Sequence, residues 1–309
     1  MIRVDLITGF LGSGKTTFLK RYARFLLARG LKIGILENDY GAVNVDMLLL
    51  RELEGENCGL EMVAGACDAD CHKRRFKTKL IAMGMSGYDR VLIEPSGVFD
   101  VDEFFDSLCE EPLDRWYELG SVIAVADANL EDGLSADADY LLASQIAGAG
   151  IVVLSKTQLA TPAERAATVR HMEDALRRVQ CDKQLRGRVL DKDWEQLSDS
   201  DFERVMNSGC DPCSFVKRGT TDDAGFRSLY FMNRPYTAEA LRAKAEQAFA
   251  DERCGKVFRV KGFVRDGDGW LEINATRQGM QVTPIAVGQE IVIVIGEKLD
   301  AVAVGTLFG

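Results

Sequence analysis

Residues 7–17 read ITGFLGSGKTT, a glycine-rich turn set between an apolar run and a helical pattern. Gly9, Gly14, Lys15 and Thr16 satisfy the pattern G-x-x-x-x-G-K-[ST]. Its glycines let the backbone wrap a phosphate chain, and the amides at the start of the following helix direct partial positive charge at it. With average residue usage the pattern arises by accident in a chain of this length on the order of once in a hundred cases. The setting makes accident rarer still. IRVDLITG (2–9) is a β-branched apolar run ending in glycine, and TTFLKRYARFLLARG (16–30) carries apolar residues at helical spacing up to a glycine stop at Gly30. The candidate phosphate-binding positions are Gly9, Gly12, Ser13, Gly14, Lys15, Thr16 and Thr17. Lys15 offers a point charge to the β and γ phosphates, and Thr16 a hydroxyl to the Mg²⁺ that bridges them.

Outward from this motif, the strand signature returns in LKIGILEN (31–38), DRVLIEP (89–95), GSVIAVADA (120–128) and GAGIVVLSK (148–156). Each is a nearly continuous apolar run of the kind buried on both faces of a parallel sheet. Helical stretches lie between or after them, including PAERAATVRHMEDALRRV from Pro162. The alternation predicts an α/β fold, a P-loop NTPase domain with a mostly parallel, doubly wound sheet over about residues 1–220. From about residue 225 the pattern changes to FRSLYFMN, a helix TAEALRAKAEQAFA, then KVFRVKGFV, GWLEINA, MQVTPIA and EIVIVIGEKL. Short turns such as RDGDG (265–269) join these strands, which predicts an antiparallel sheet in a small α+β C-terminal domain over residues 225–309.

Two acidic stretches follow predicted strands. RVLIEPSG (90–97) ends an apolar strand in Glu94, with Gly97 three residues on. An acidic residue there holds Mg²⁺ or its water, and a glycine amide there can sense the γ phosphate, so Lys15, Glu94 and Gly97 are the candidate catalytic group. LENDYGAVNVD (36–46) places Glu37, Asp39 and Asp46 at the edge of the same pocket, which suits a switch loop ordering around Mg²⁺ and the γ phosphate.

Composition bounds the partners. The 309 residues are 47% hydrophobic with a formal net charge of -10, enough chain for a sizeable core and the wrong sign for a general nucleic-acid binder. The basic cluster Lys73, Arg74, Arg75, Lys77 and Lys79 reads as a solvated helix face. No apolar run approaches the length of a membrane span, and the N-terminal methionine leads directly into a strand with no room for a signal peptide. A cytoplasmic location is therefore expected, with all eight cysteines reduced.

The cysteines leave alternatives open. In VAGACDADCHKRRF (63–76), Cys67 and Cys71 stand four residues apart, which on a helix puts both sulfurs on one face. With Cys58, Asp68, Asp70 or His72 they make a candidate site for a transferable soft metal such as zinc, cobalt or copper(I); otherwise they fill space. In GCDPCSF (209–215), Cys210 and Cys213 have the spacing of zinc knuckles and redox pairs, or are incidental thiols in a turn. Cys109, Cys181 and Cys254 have no ligand-like neighbours in sequence.

On ITGFLGSGKTT, ENDYGAVNVD, LIEPSG and SVIAVADA, and in the C-terminal part on FRSLYFMNRPYTAEAL, VFRVKGFV and GWLEINA, the chain resembles the CobW-like GTPase family, relatives of the urease- and hydrogenase-maturation GTPases. The resemblance covers nearly the whole chain. It implies Mg²⁺-dependent GTP hydrolysis coupled to delivery of a metal such as Zn²⁺ or Co²⁺, with Lys15, Thr16 and Glu94 as phosphate and magnesium residues. It also implies a client metalloenzyme or cofactor-assembly protein as partner, and leaves room for a nucleotide-dependent homodimer. Two departures stand out. Where the family reads guanine with Asn-Lys-x-Asp, this chain has SKTQ (155–158), so Ser155 and Lys156 remain as candidate nucleotide contacts while Gln158 replaces the aspartate. Loss of that carboxylate predicts relaxed base selectivity among nucleoside triphosphates. Where the family has Cys-x-Cys-Cys, this chain has Cys67 and Cys71 with one thiolate fewer. The competing expectations are an NTP-driven activator of a corrinoid or other metalloenzyme whose cysteines are structural, and a P-loop kinase acting on a small molecule.

Overall fold

The computed structural model describes all residues except 11, 40–45, 65–68, 96–100, 131–133, 212, 217–225, 278 and 286–287; for 39, 46, 48, 64, 69, 70, 102, 103, 226 and 227 it describes the backbone alone. The chain divides into two compact units, Met1–Arg218 and Gly219–Gly309.

In the first unit the elements run β1 (Ile2–Thr8), α1 (Lys15–Ala28), β2 (Ile33–Asp39), α2 (Asp46–Leu50), β3 (Cys58–Ala64), α3 (Ala69–Gly84), β4 (Arg90–Pro95) and α4 (Val101–Leu108). They continue with α5 (Leu113–Trp116), β5 (Tyr117–Asp127), α6 (Ala136–Ala147), β6 (Ile151–Ser155), α7 (Pro162–Arg178), β7 (Val189–Leu190) and α8 (Asp199–Met206). The strands form one seven-stranded sheet in the order β3-β2-β4-β1-β5-β6-β7, and every neighbouring pair is parallel. The five strands read from the sequence are its centre. The structure adds β3 and β7 at the two edges, where CGLEMVA and the two-residue VL carry too short or too mixed an apolar run to announce a strand.

Alternation along the strands explains why both faces are covered. Ile7, Ile33, Ile35, Leu92, Ile123, Val125, Ile151 and Val153 pack with Phe18, Leu19, Tyr22 and Leu26 of α1 and Val205 of α8. The intervening Leu6, Leu36, Ile93, Val122, Val152 and Leu154 are buried as well, so neither face is left to water. Within this core, Asp5 and Arg90 form an ion pair at 2.7 Å on adjacent strands, and Asp5 also accepts from Tyr22 Oη at 2.8 Å and the Ser121 amide at 2.7 Å.

The second unit contains β8 (Phe226–Met232), α9 (Ala238–Ala250), β9 (Lys256–Asp266), β10 (Gly269–Thr276), β11 (Gly279–Ile285), β12 (Ile291–Glu297) and α10 (Ala301–Phe308). Its five strands are ordered β11-β10-β9-β12-β8 with antiparallel pairing throughout. Leu241, Ala245 and Ala248 of α9 and Val304 and Phe308 of α10 pack on Val257, Val260, Val264, Ile273, Val292 and Val294. The α+β reading of this part and the parallel α/β reading of the first are what the structure contains; α10 was not foreseen.

Candidate functional site

The carboxyl ends of the central strands meet at one edge of the first sheet, where ligands of open α/β sheets bind. Register fixes who is beside whom: Leu6 pairs with Ile93, Glu37 with Glu94, and Asp127 with Ser155. The loop after β1, the acid ending β4 and the SKTQ stretch after β6 are thus brought to the same edge.

The loop geometry follows from its glycines. Gly9 has φ of +145°, and a Cβ there would lie 2.1 Å from the Val125 carbonyl oxygen, so only a bare backbone passes this point of β5. Gly12 and Gly14 also have positive φ, and Gly14 is the left-handed N-cap of α1. Ser13 is buried, its amide donates to Phe10 O at 3.2 Å, and its Oγ has no hydrogen-bond partner among the described residues. Lys15 opens α1 and folds back so that Nζ donates to Gly9 O at 3.1 Å, holding the ammonium over the loop. Thr16 Oγ1 donates to Glu94 Oε1 at 2.9 Å. Thr17 is exposed. A glycine-lined turn with an inward ammonium, an unsatisfied serine hydroxyl and a hydroxyl–carboxylate pair fits a polyphosphate with its Mg²⁺.

Glu37 and Glu94 are both buried side by side on β2 and β4. Asp39 ends β2, but its side chain, like that of Asp46, lies outside the described atoms, and Gly97 lies outside the described residues. In the SKTQ stretch, Ser155 is buried with Oγ donating to Ala126 O at 3.3 Å. Lys156 takes a left-handed conformation, φ 54°, and its Nζ pairs with Asp127 Oδ2 at 2.5 Å. Gln158 is exposed.

One residue at this edge had no sequence signal. Trp194, just after β7, donates Nε1–H to Leu154 O at 2.8 Å and stacks obliquely on Phe18 with ring centroids 5.4 Å apart. Its ring would lie 3.3 Å from a Cβ on Gly14. It therefore clamps the start of α1 to the end of β6, a contact that only tertiary structure creates.

The cysteine expectations are partly revised. Cys67 and Asp68 lie outside the described residues, and Asp70 is described only in its backbone. Cys71 is half-buried in the first turn of α3, and His72, buried, points about 100° away from it around the helix. Cys58 lies away from Cys71 and His72. It begins β3, six residues and about 20 Å before Ala64, the residue that leads toward Cys67. It is 2% exposed in the apolar core, and burial with the nearby Glu54 charge pushes its thiol up to about 11. Among the described residues no three His, Cys, Asp or Glu side chains are grouped to hold a metal. The expectation of uniformly reduced cysteines is also corrected: Cys213 is bonded to Cys181, not grouped with Cys210. The reason is proximity in space, with Cα atoms 6.2 Å apart across 32 residues of sequence.

A parallel α/β sheet with this loop and this acid defines a P-loop nucleotide-binding protein. Residues 3–186 match the model of the CobW/HypB/UreG nucleotide-binding domain, and the chain belongs to that family. It is 30% identical over 174 residues to the zinc chaperone YeiR of Escherichia coli, covering 55% of this chain and 51% of YeiR. The zinc chaperone YjiA of the same organism is also 30% identical over 174 residues, covering 53% of this chain and 52% of YjiA. The chain thus spans about half the length of these curated relatives in the match. Against the crystal structure of Zn(II)-bound YjiA GTPase from E. coli the TM-score is 0.36 at 21% identity, covering 99% of this chain and 98% of that one. Among the described residues no helix is long and apolar enough to cross a membrane.

Proposed function

We propose that this protein hydrolyses a nucleoside triphosphate, GTP foremost, and uses the nucleotide state to control loading and release of a metal ion, zinc first, for a client metalloprotein. The observation that carries the hydrolase part is the Thr16–Glu94 contact beside the Lys15 loop, two oxygen donors held 2.9 Å apart at the carboxyl edge of β4. Lys15 holds the β and γ phosphates by charge, the amides from Gly12 to Thr16 orient them, and Glu94 fixes the Thr16 hydroxyl. Mg²⁺, when bound, offsets the charge that builds on the phosphoryl oxygens. Asp39 and Gly97 are proposed to follow the γ phosphate, as switch residues do.

The metal part rests on family membership and on relatives that are zinc chaperones. Cys67 and Cys71 supply the soft donors, on the segment leading from β3 into α3. An incomplete thiolate shell suits a cargo that is handed on better than a closed four-ligand site does. Coupling demands that zinc bind one nucleotide state better than the other. Zinc titration of the full chain with Mg²⁺ and either GDP or a non-hydrolysable GTP analogue tests this, beside the variant Cys67→Ser/Cys71→Ser. The expected result is unequal zinc affinity in the two states and loss of binding in the variant, with free phosphate as the product of a separate incubation with GTP and Mg²⁺. Equal affinity in both states, or an unaffected variant, overturns the metal-coupling reading while leaving hydrolysis to be judged by phosphate release.

A further inference from the structure

A thiol system lies outside the phosphate site. After α7 the chain turns at Cys181, and 32 residues later Cys213 returns to bond with it. Cys210, three residues before Cys213, stays outside the bond: its thiol donates to Gly148 O at 3.3 Å, and the residue forms an antiparallel bridge with Ala149. The two bonded sulfurs differ in access. Cys181 is 1% exposed. Cys213 lines an open groove of about 530 Å³ together with Asp182, Lys183, Arg186, Arg188 and Asp211.

The segment carrying Cys213 is anchored on either side of it. The Asp211 amide donates to Gly148 O at 3.2 Å and the Val216 amide to Val179 O at 2.8 Å. Lys183 reinforces the first anchor, donating Nζ–H to the carbonyls of Ala147, Ala149 and Asp211 at 2.9, 2.6 and 2.9 Å. The second anchor is a single backbone bond just before the stretch that leads into the second unit. Between these anchors Phe215 also packs on Tyr140, with ring centroids 6.4 Å apart, and the disulfide adds the covalent tie.

We propose that Cys213 is a thiol–disulfide exchange site for a small carboxylate-bearing thiol of the glutathione type, and that exchange there releases or pins residues 213–216. The thiolate of the small molecule attacks Cys213 Sγ, forming a new S–S bond as the Cys181–Cys213 bond breaks. The electron pair leaves on Cys181 Sγ, which takes a proton from solvent. A second small thiol attacks the small-molecule sulfur of this mixed disulfide, frees Cys213 as a thiol and departs as the oxidised dimer, so two electrons pass to the chain. The reverse sequence, with the oxidised dimer as oxidant, closes the bond. Attack falls on Cys213 because Cys181 is covered; Arg188 on the groove wall is paired with Asp211 at 3.1 Å, so Arg186 is the cation that favours a carboxylate-bearing reagent over a neutral one.

The test uses the full chain equilibrated in buffers of varied glutathione-to-glutathione-disulfide ratio, quenched in acid, alkylated and mapped by peptide mass. The expected pattern is a Cys181–Cys213 link under oxidising conditions, a glutathione adduct on Cys213 at intermediate ratios, and Cys210 alkylated throughout. Brief trypsin treatment is expected to cut after Lys217 or Arg218 several-fold faster in the reduced chain. Cys213→Ser is expected to give the fast cleavage in every buffer, and Cys210→Ser to leave link and response intact. Arg186→Glu is expected to slow exchange with glutathione but not with 2-mercaptoethanol. A Cys210–Cys213 link, an adduct on Cys181, or equal cleavage of oxidised and reduced wild-type chain overturns the proposal.

Discussion

Thr16 Oγ1 donates to Glu94 Oε1 at 2.9 Å, joining the first turn of α1 to the carboxyl end of β4 across 78 residues of sequence. The two residues belong to separate motifs, and the fold alone makes them neighbours. Replacing either side removes one of the two oxygen donors proposed to serve Mg²⁺ without disturbing the apolar core. Thr16→Ala and Glu94→Gln are each expected to lower Mg²⁺-dependent GTP turnover on the order of a hundredfold, the scale of losing one preorganised electrostatic contact to the transition state. Phosphate release measured across Mg²⁺ concentrations, with thermal unfolding as a control, checks this. Near-wild-type turnover in both variants would remove this pair from the mechanism.

Gly9→Ala is expected to abolish nucleotide binding. The added methyl would sit 2.1 Å from Val125 O at φ of +145°, so the loop must move away from β5 and carry the Lys15 contact to Gly9 O with it. Gly30→Ala is the matching control: φ is also positive, +78°, but nothing lies within 4 Å of the new methyl. That variant is expected to lose about 1 kcal/mol of stability and to keep its affinity. Equilibrium binding of a fluorescent GTP analogue distinguishes the two; equal affinities refute the steric argument.

The centre of this molecule is legible in its sequence because buried parallel strands are written as apolar runs and the phosphate loop as a fixed spacing of glycines. LKIGILEN and DRVLIEP announce β2 and β4 on those grounds. The edges are less legible. A strand with one neighbour needs less apolar surface, so CGLEMVA carries no clear strand pattern, and Cys58 begins this edge strand at the end away from Cys71. Long-range contacts leave the weakest trace. No local pattern brings Trp194 against Gly14, or Cys181 against Cys213, since both depend on where α7 and β7 return the chain.

Base selectivity is expected to be weak. Gln158 is exposed where the family carries an aspartate, and Lys156 is engaged with Asp127 at 2.5 Å. A neutral amide accepts from the guanine N1 and N2 hydrogens less strongly than a carboxylate does. Affinities for GTP and ATP are expected to differ by less than about tenfold, and Gln158→Asp to raise the GTP preference by about tenfold to a hundredfold, the worth of charge-assisted hydrogen bonds. A strong GTP preference in the unaltered chain sinks this account and assigns base reading to other residues.

Arg90→Met is expected to destabilise the protein in a pH-dependent way. Asp5 is fully buried and Arg90 is 4% exposed, so the variant leaves a carboxylate in the core with only Tyr22 Oη and the Ser121 amide. Removing one partner of a buried pair costs about 3–5 kcal/mol. Burial already holds the Asp5 carboxyl above its ordinary range, outweighing the pull of Arg90 and of its hydrogen bonds. A carboxyl raised in the folded state stabilises the fold most when protonated, and that contribution is lost as pH rises from the unfolded value through the folded one. Without Arg90 the folded value climbs further, so the penalty widens over that window. Urea midpoints at about pH 5 and about pH 8 check the sign: the gap between wild type and variant is expected to be larger at the higher pH. Asp5→Asn/Arg90→Met is expected to narrow it there, because no charge is left to bury. A gap that is the same at both pH values, or larger at the lower one, means that Asp5 is not held as a buried anion by Arg90.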